Sequence, residues 1–464
     1  MTVLSLSCFV SNAAAALLVD GKLVAASTES RFSRVPGDSA FPERAIRFCL
    51  ERLRMLTGRA AVDRVACVDR GETPPAGGAR KPLAEIKSAV SGWTDKQSLR
   101  RRIRSLVDVR SEQIVFVDPL RAHAANAFMS SPFEEAAIIV ADGDADHTVT
   151  ATAVGSGATV DLEAVARQDV TGASLARMAA DLLTASGSAT RVAFGGSRAG
   201  DPCLVAHLLE DGRVTEIFVP PAVDGAGAAL GAALHVHHLV AGGAREFALA
   251  HPYWGVPIER RGVLEVAQTS GLIWVECDEH ELLSRTTDLL ALGKVLAWAQ
   301  EAAEWGPRAL GNRSIVCDPT QPDAIGRMPH VAEAPDDTSM WTLAVPAERM
   351  AAMFDGVPAA ALGPGRFGAV ACRPKPAVAD VLAMPTHLDG RLAVHVVARE
   401  VNPRFHALIT RAAGKIAIPA LAQTVLASPG EAPANTAADA FKAFRDWKLG
   451  ALVLDHTMMI NDGV

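Results

Sequence analysis

One pattern occurs twice in this chain of 464 residues and limits what the chain can fold into. AAAALLVDGKLVAAS (13–27) is an apolar run, an Asp-Gly pair and a returning apolar run. EAAIIVADGDADHTVTATAV (135–154) repeats the arrangement with alternating Thr, Ala and Val on the return. Asp-Gly between two such runs is a strong hairpin signal, because a type I′ turn needs two residues with positive φ. Each hairpin is followed by strand and helix patterns. FPERAIRFCLERLRML (41–56) sets Ile46, Cys49, Leu50 and Leu53 at helical spacing. PLRAHAANAFMSSPF (119–133) and SLARMAADLLTAS (174–186) read as helices, and RVACV, SEQIVFVD and RVAFGGS as strands. VDGAGAALGAALHVHHLV (223–240) reads as a Gly/Ala-rich loop opening a helix. A hairpin-rich unit occurring twice predicts a duplicated α/β core, with a ligand in the cleft between its halves.

An acidic stretch, ECDEHE (276–281), marks a change of character. We read 1–280 as the duplicated α/β domain and 281–464 as an α+β domain. The second closes with TAADAFKAFRDWKLGALVLD, a helix and then a strand.

The bulk numbers exclude some functions. A net charge of −7 argues against nucleic-acid or general polyanion binding, which needs a basic field. The basic run Arg100–Arg102 with Arg104 reads as a solvated helix face. The seven cysteines are scattered without a CxxC, which suits a reduced, cytoplasmic protein without a zinc site. The apolar N-terminus lacks a basic leader and is broken at Asp20-Gly21, and no run has the length of a membrane helix.

The strongest chemical signal is EWGPRALGNRSIVCDP (304–319). Arg308 and Arg313 can form paired bonds to an oxyanion. Gly306 and Gly311 allow close approach of backbone, and Asn312 and Ser314 add neutral hydrogen bonds. The alternative is an arginine-rich turn paired with its own carboxylates, Glu304 and Asp318.

This stretch closely resembles the signature of the nodulation and antibiotic O-carbamoyltransferases. SCFVSNAAAALLVDGKLVAASTESRFSR, FPERAIRFCL, RAHAANAFMSSPFEEAAIIVADG, PPAVDGAGAALGAAL and GEAPANTAADAFKAF resemble further blocks of that family in the same order. The resemblance implies an N-terminal domain of the actin, sugar-kinase and Hsp70 type and a C-terminal domain similar to carbamoyl-adenylate-forming domains. It implies that carbamoyl phosphate and ATP give carbamoyl adenylate in the C-terminal domain. The N-terminal domain, holding one Fe(II)-type metal, would pass the carbamoyl group to a hydroxyl or amine of a small specialised metabolite. Carried over by position, it implies His123, Asp142 and Asp224 as metal ligands, with His123 and Asp142 catalytic. It implies Arg308, Asn312, Arg313, Ser314, His387 and Arg391 as substrate-binding. A homodimer, or a heteromer with a complete carbamoyltransferase, is the implied assembly.

The chain also departs from that pattern. The family's His-His-x-x-His falls on Pro119, Leu120 and His123, so one histidine remains. Two histidines one helical turn apart can chelate, whereas one cannot. The family's last ligand falls on Gly225, with Asp224 one residue away. Asp144, Asp146 and His147 lie close enough in sequence to Asp142 to rebuild a site. Ser11-Asn12 stands where the family has His-Asp, and Pro36-Gly37 where it has Lys-His. Ala302 replaces an arginine, HLDGRLA keeps Arg391 two residues from the family position, and QTVLA (423–427) replaces an Asn-Thr-Ser-Phe-Asn block. HVAEAPDDTSMW (330–341) is acidic where the family is basic. Three readings follow: a carbamoyltransferase with a reduced site, a catalytically degenerate subunit that supports an active enzyme, or the same fold with its adenylate-forming or acyl-transfer step turned to a different donor.

Overall fold

The structure is a computed structural model that describes residues 1–69, 96–143, 148–167, 171, 174, 177–180, 184, 190–210, 212–329, 341–356, 361–387 and 389–461. The first sheet contains β1 (Thr2–Ser7), β2 (Ala14–Val19), β3 (Lys22–Thr28), β4 (Arg64–Val68) and β5 (Ile114–Val117). Its order is β3-β2-β1-β4-β5, with β1 to β3 antiparallel and β4 and β5 parallel to β1. The β2–β3 turn is Asp20-Gly21, with φ of 49° and 75°. Both central residues are left-handed, as the I′ geometry requires.

The second sheet repeats this plan. β6 (Glu135–Gly143), β7 (Thr148–Ser156) and β8 (Thr159–Arg167) meander antiparallel, while β9 (Arg191–Gly195) and β10 (Glu216–Phe218) lie parallel to β6 on its other side. The core is thus a duplicated α/β unit. The β6–β7 turn and most of the expected helix 174–186 lie outside the described residues.

The sheets are joined through two helices. Pro119–Met129 packs on β6 and β9, Gly225–His235 packs on β1 and β2, and the two helices pack on each other. The Gly/Ala run explains how closely they approach: a Cβ on Gly231 would lie 1.8 Å from the carbonyl oxygen of Ala122. Asp118 and Asp224 cap the two helices, accepting from the backbone N–H of Arg121 (3.1 Å) and Ala226 (3.0 Å).

The third sheet contains β11 (Ile273–Glu276), β12 (Leu296–Ala299), β13 (Arg313–Cys317), β14 (Thr342–Pro346), β15 (Val370–Cys372), β16 (Leu392–Val397), β17 (Leu421–Val425), β18 (Ala451–Leu454) and β19 (Thr457–Ile460). Its order is β11-β19-β18-β12-β13-β17-β14-β16-β15. Side chains alternate between its faces. Ala297, Ala299 and Ile315 join a core with the helix Ala437–Asp446, and Leu296, Trp298 and Val316 one with the helix Pro403–Ala412. The first of these cores runs on into Ile139 and Phe194 of the second α/β unit. All seven cysteines are free thiols. Among the described residues no helix is long and apolar enough to cross a membrane.

Candidate active site at the domain junction

The signature stretch folds as a loop around its own glutamate. Gly306 (φ 116°) and Gly311 (φ 90°) turn the chain so that three backbone N–H groups converge. Those of Leu310, Asn312 and Arg313 donate to Glu304 Oε1 at 3.0, 2.8 and 2.8 Å. Such a cluster of amides is an anion site, and here the anion is part of the chain. Glu304 is 3% exposed, and its second oxygen, Oε2, is buried without a hydrogen-bond partner.

The side chains of the stretch are also placed. Arg313 is buried and donates to four carbonyls, of Gln300 (2.6 Å), Asn312 (2.8 Å), Val256 (3.1 Å) and Glu301 (3.0 Å). Arg308 reaches to the second α/β unit and donates to the carbonyl of Gly200. The Asn312 amide donates to Ala302 O (2.7 Å), and its oxygen accepts from Gln300 (2.9 Å) and Asn402 (3.0 Å). Ser314 Oγ accepts from Gly311 N–H at 3.1 Å. Asn312, Arg313 and Ser314 hold the loop's own backbone, and Arg308 ties the loop to the second α/β unit.

A small cleft lies where this loop meets the first α/β unit. It offers about 40 Å³ and is lined by Asn12, Ser30, Arg31, Asp224, Gly306 and Pro307 among others. Asn12 sits in the loop after β1 with φ of 58°, a conformation asparagine tolerates, and its Nδ2 donates to Asp224 Oδ2 at 2.5 Å. Burial pushes the Asp224 carboxyl above the ordinary carboxylate range, against the pull of Asn12 and the Ala226 amide. Arg31 is 6% exposed and donates to Ala434 O (2.9 Å) and Glu304 O (3.2 Å). Burial lowers both Arg31 and Arg313 to about 10, so both stay cationic at neutral pH.

The residues expected to hold metal come partly together. His123 is buried, with Nε2 3.6 Å from Asp142 Oδ1 and Nδ1 without a partner. Asp142, at the end of β6, also accepts from Ser197 N–H at 3.2 Å. Asp224 spends its oxygens on Asn12 and on its helix cap. Among the described residues no three His, Cys, Asp or Glu side chains converge as ligands. Asp144, Asp146 and His147 lie outside the described residues. The residues described therefore do not fit a resident metal.

His387 and Arg391 stand apart from the cleft. Arg391 is 7% exposed, pairs with Asp389 (2.5 Å) and reaches Glu210 of the second α/β unit. His387 donates its backbone N–H to Arg391 O at 2.8 Å.

Residues 287–461, which hold the signature loop and most of the third sheet, match the carbamoyltransferase C-terminus family. The nodulation protein NolO of Bradyrhizobium diazoefficiens is 30% identical over 267 residues, covering 57% of this chain and 48% of that protein. The C-terminal part of the chain thus carries a carbamoyltransferase C-terminal domain. NolNO of Sinorhizobium fredii is 25% identical over 541 residues, covering 96% of this chain and 78% of that protein. The 3'-hydroxymethylcephem-O-carbamoyltransferase of Amycolatopsis lactamdurans is 27% identical over 229 residues, covering 49% and 41%. The chain therefore spans about half of NolO and most of NolNO.

The sequence did not reveal Arg31 as a cleft residue or the capture of Asp224 by Asn12. Arg31 lies in the block ESRFSR, quoted above only for its resemblance. Its local signal is a charged side chain directly after an apolar strand, where exposure is the default reading.

Proposed function

We propose that this protein transfers a carbamoyl group from carbamoyl phosphate to a hydroxyl or amine of a small molecule, in the cleft between the first α/β unit and the signature loop. The observation that carries the reading is the meeting of Asn12 and Asp224 with Gly306-Pro307 of the signature in one cavity. In the reaction the acceptor oxygen or nitrogen attacks the carbamoyl carbon, the bond from that carbon to the phosphate oxygen breaks, and phosphate leaves with the electron pair. Asp224 is the group placed to take the acceptor proton, and its raised carboxyl makes it a stronger base than a surface aspartate. The cavity's size suits the small reactant. One water needs roughly 10–15 Å³ of such space, so about 40 Å³ holds a carbamoyl- or phosphate-sized group and not a nucleotide. Activation by ATP through carbamoyl adenylate therefore requires this cleft to open.

The test is carbamoyl-phosphate-dependent release of phosphate, or of AMP when ATP is present, against a panel of hydroxylated and aminated acceptors. Turnover that disappears in Asp224→Asn supports the reading. Turnover unchanged in that variant removes Asp224 as the base and moves the chemistry elsewhere.

A second reading is favoured by the commitment of Arg308, Arg313 and Arg391 to protein partners. In it the chain is a non-catalytic subunit of an active carbamoyltransferase. Co-purification with a complete enzyme, and activity of that enzyme only in its presence, would support it over the first.

A further inference from the structure

The signature loop presents its convergent N–H donors to Glu304, so an external anion cannot use them while that carboxylate is in place. Arg313 gives its terminal N–H groups to four carbonyls and does not line the cleft. The anion must then meet a different cation. We propose that Arg31 is the anion-recognising residue of the cleft, taking a phosphate or carbamate oxygen; this rests on the cleft being the donor site.

The argument is one of donors and charge. A guanidinium has five N–H donors. Arg31 gives two of them, to Ala434 O and Glu304 O. Among the described residues it has no ion-pair partner, although it is almost wholly buried. Two buried guanidiniums, Arg31 and Arg313, stand against one buried carboxylate in the loop, Glu304. A buried charge without a partner is costly, and an anion in the adjoining cavity completes the balance. The fork of Arg31 also suits two oxygens of one phosphate.

The experiment is calorimetric titration of the full chain with inorganic phosphate and with carbamoyl phosphate. Arg31→Gln should weaken both by at least about tenfold, which is about 1.4 kcal/mol. Arg31→Lys keeps the charge and loses the fork, so its loss should be smaller. Arg34→Gln is the structural control. Arg34 donates to Pro433 O and Ala432 O, next to the Arg31 anchor, so this variant loosens the same segment without removing the cleft cation. It should lower Tm and leave affinity within about twofold.

A folded Arg31→Gln that binds phosphate like wild type overturns the inference, as does an equal loss in Arg34→Gln, or no phosphate or carbamoyl phosphate binding to wild type at millimolar ligand. If Arg31→Gln does not fold, Arg31→Lys decides: wild-type affinity in it overturns the paired-oxygen geometry. Binding through Arg31 without turnover keeps the inference and sinks the transfer reading. Turnover indifferent to Arg31→Gln does the reverse.

Discussion

Removing the Glu304 carboxylate should collapse the signature loop more than removing either of its arginines. In Glu304→Ala three backbone N–H groups lose their acceptor, and each buried, unsatisfied donor costs about 1–3 kcal/mol. Arg31 and Arg313 lose their nearest opposite charge at the same time. Two effects oppose this: Oε2 is already unsatisfied, so its burial cost is relieved, and water can enter the vacated space. Breaking a buried charged contact on one side typically costs about 3–5 kcal/mol, and we expect about 4 kcal/mol here. In a domain of this size that lowers Tm by about 8–16 °C. Glu304→Gln keeps an oxygen acceptor and loses the charge, so about 2 kcal/mol is expected. The assay is urea unfolding followed by tryptophan fluorescence, since Trp298 and Trp305 are buried beside the loop. Formate at high concentration should restore part of the loss in Glu304→Ala by filling the amide cluster. A loss below about 1 kcal/mol, or equal losses in the two variants, would refute the claim that the carboxylate organises the loop.

Other expectations follow from the same geometry. Gly306→Ala should destabilise by about 2 kcal/mol or more, because φ is 116° and the new Cβ would sit 2.2 Å from Pro221 O; thermal denaturation measures it. Burial lowers His395 from 6.5 to about 3, with Gln423 donating to its Nδ1. Its folded pKa lies below its unfolded one, so the unfolded chain takes up the proton first and stability falls with acid between about 6.5 and 3. Between pH 6.5 and 5 this loss is about 1.5 kcal/mol, and His395→Gln should flatten the Tm–pH curve there. Chelation of purified protein should leave Tm unchanged, because no three candidate ligands converge among the described residues. A drop in Tm on chelation would show that further ligands complete a site.

The fold was legible where its cause is local. Asp20-Gly21 announces its hairpin because the turn's φ values are a property of those two residues. The repetition of the hairpin announces the repeated sheet, and the Gly/Ala run announces helices in close contact. The site was less legible, because its partners are backbone atoms or distant side chains. Nothing in GPRALGNRS marks the carbonyl of Gly200 as the partner of Arg308, or those of Val256 and Glu301 as partners of Arg313. Asn12 and Asp224 meet across the whole N-terminal domain, and Arg391 meets Glu210 across the junction. Glu304 is the exception. Its donors, Leu310, Asn312 and Arg313, lie a few residues downstream on either side of Gly311, and a turn paired with its own carboxylates was one of the two readings open from the sequence.

Arg31 and Arg34 hold the carbonyls of Ala432, Pro433 and Ala434, and Ala432 donates back to Arg34 O at 3.1 Å. The beginning of the polypeptide is thus stitched to a stretch near its end. Anyone who trims the gene to express the carbamoyltransferase C-terminus alone removes both arginines. The excised piece loses β11 and one wall of the cleft, and a ligand screen on it would report on a surface the intact protein never presents.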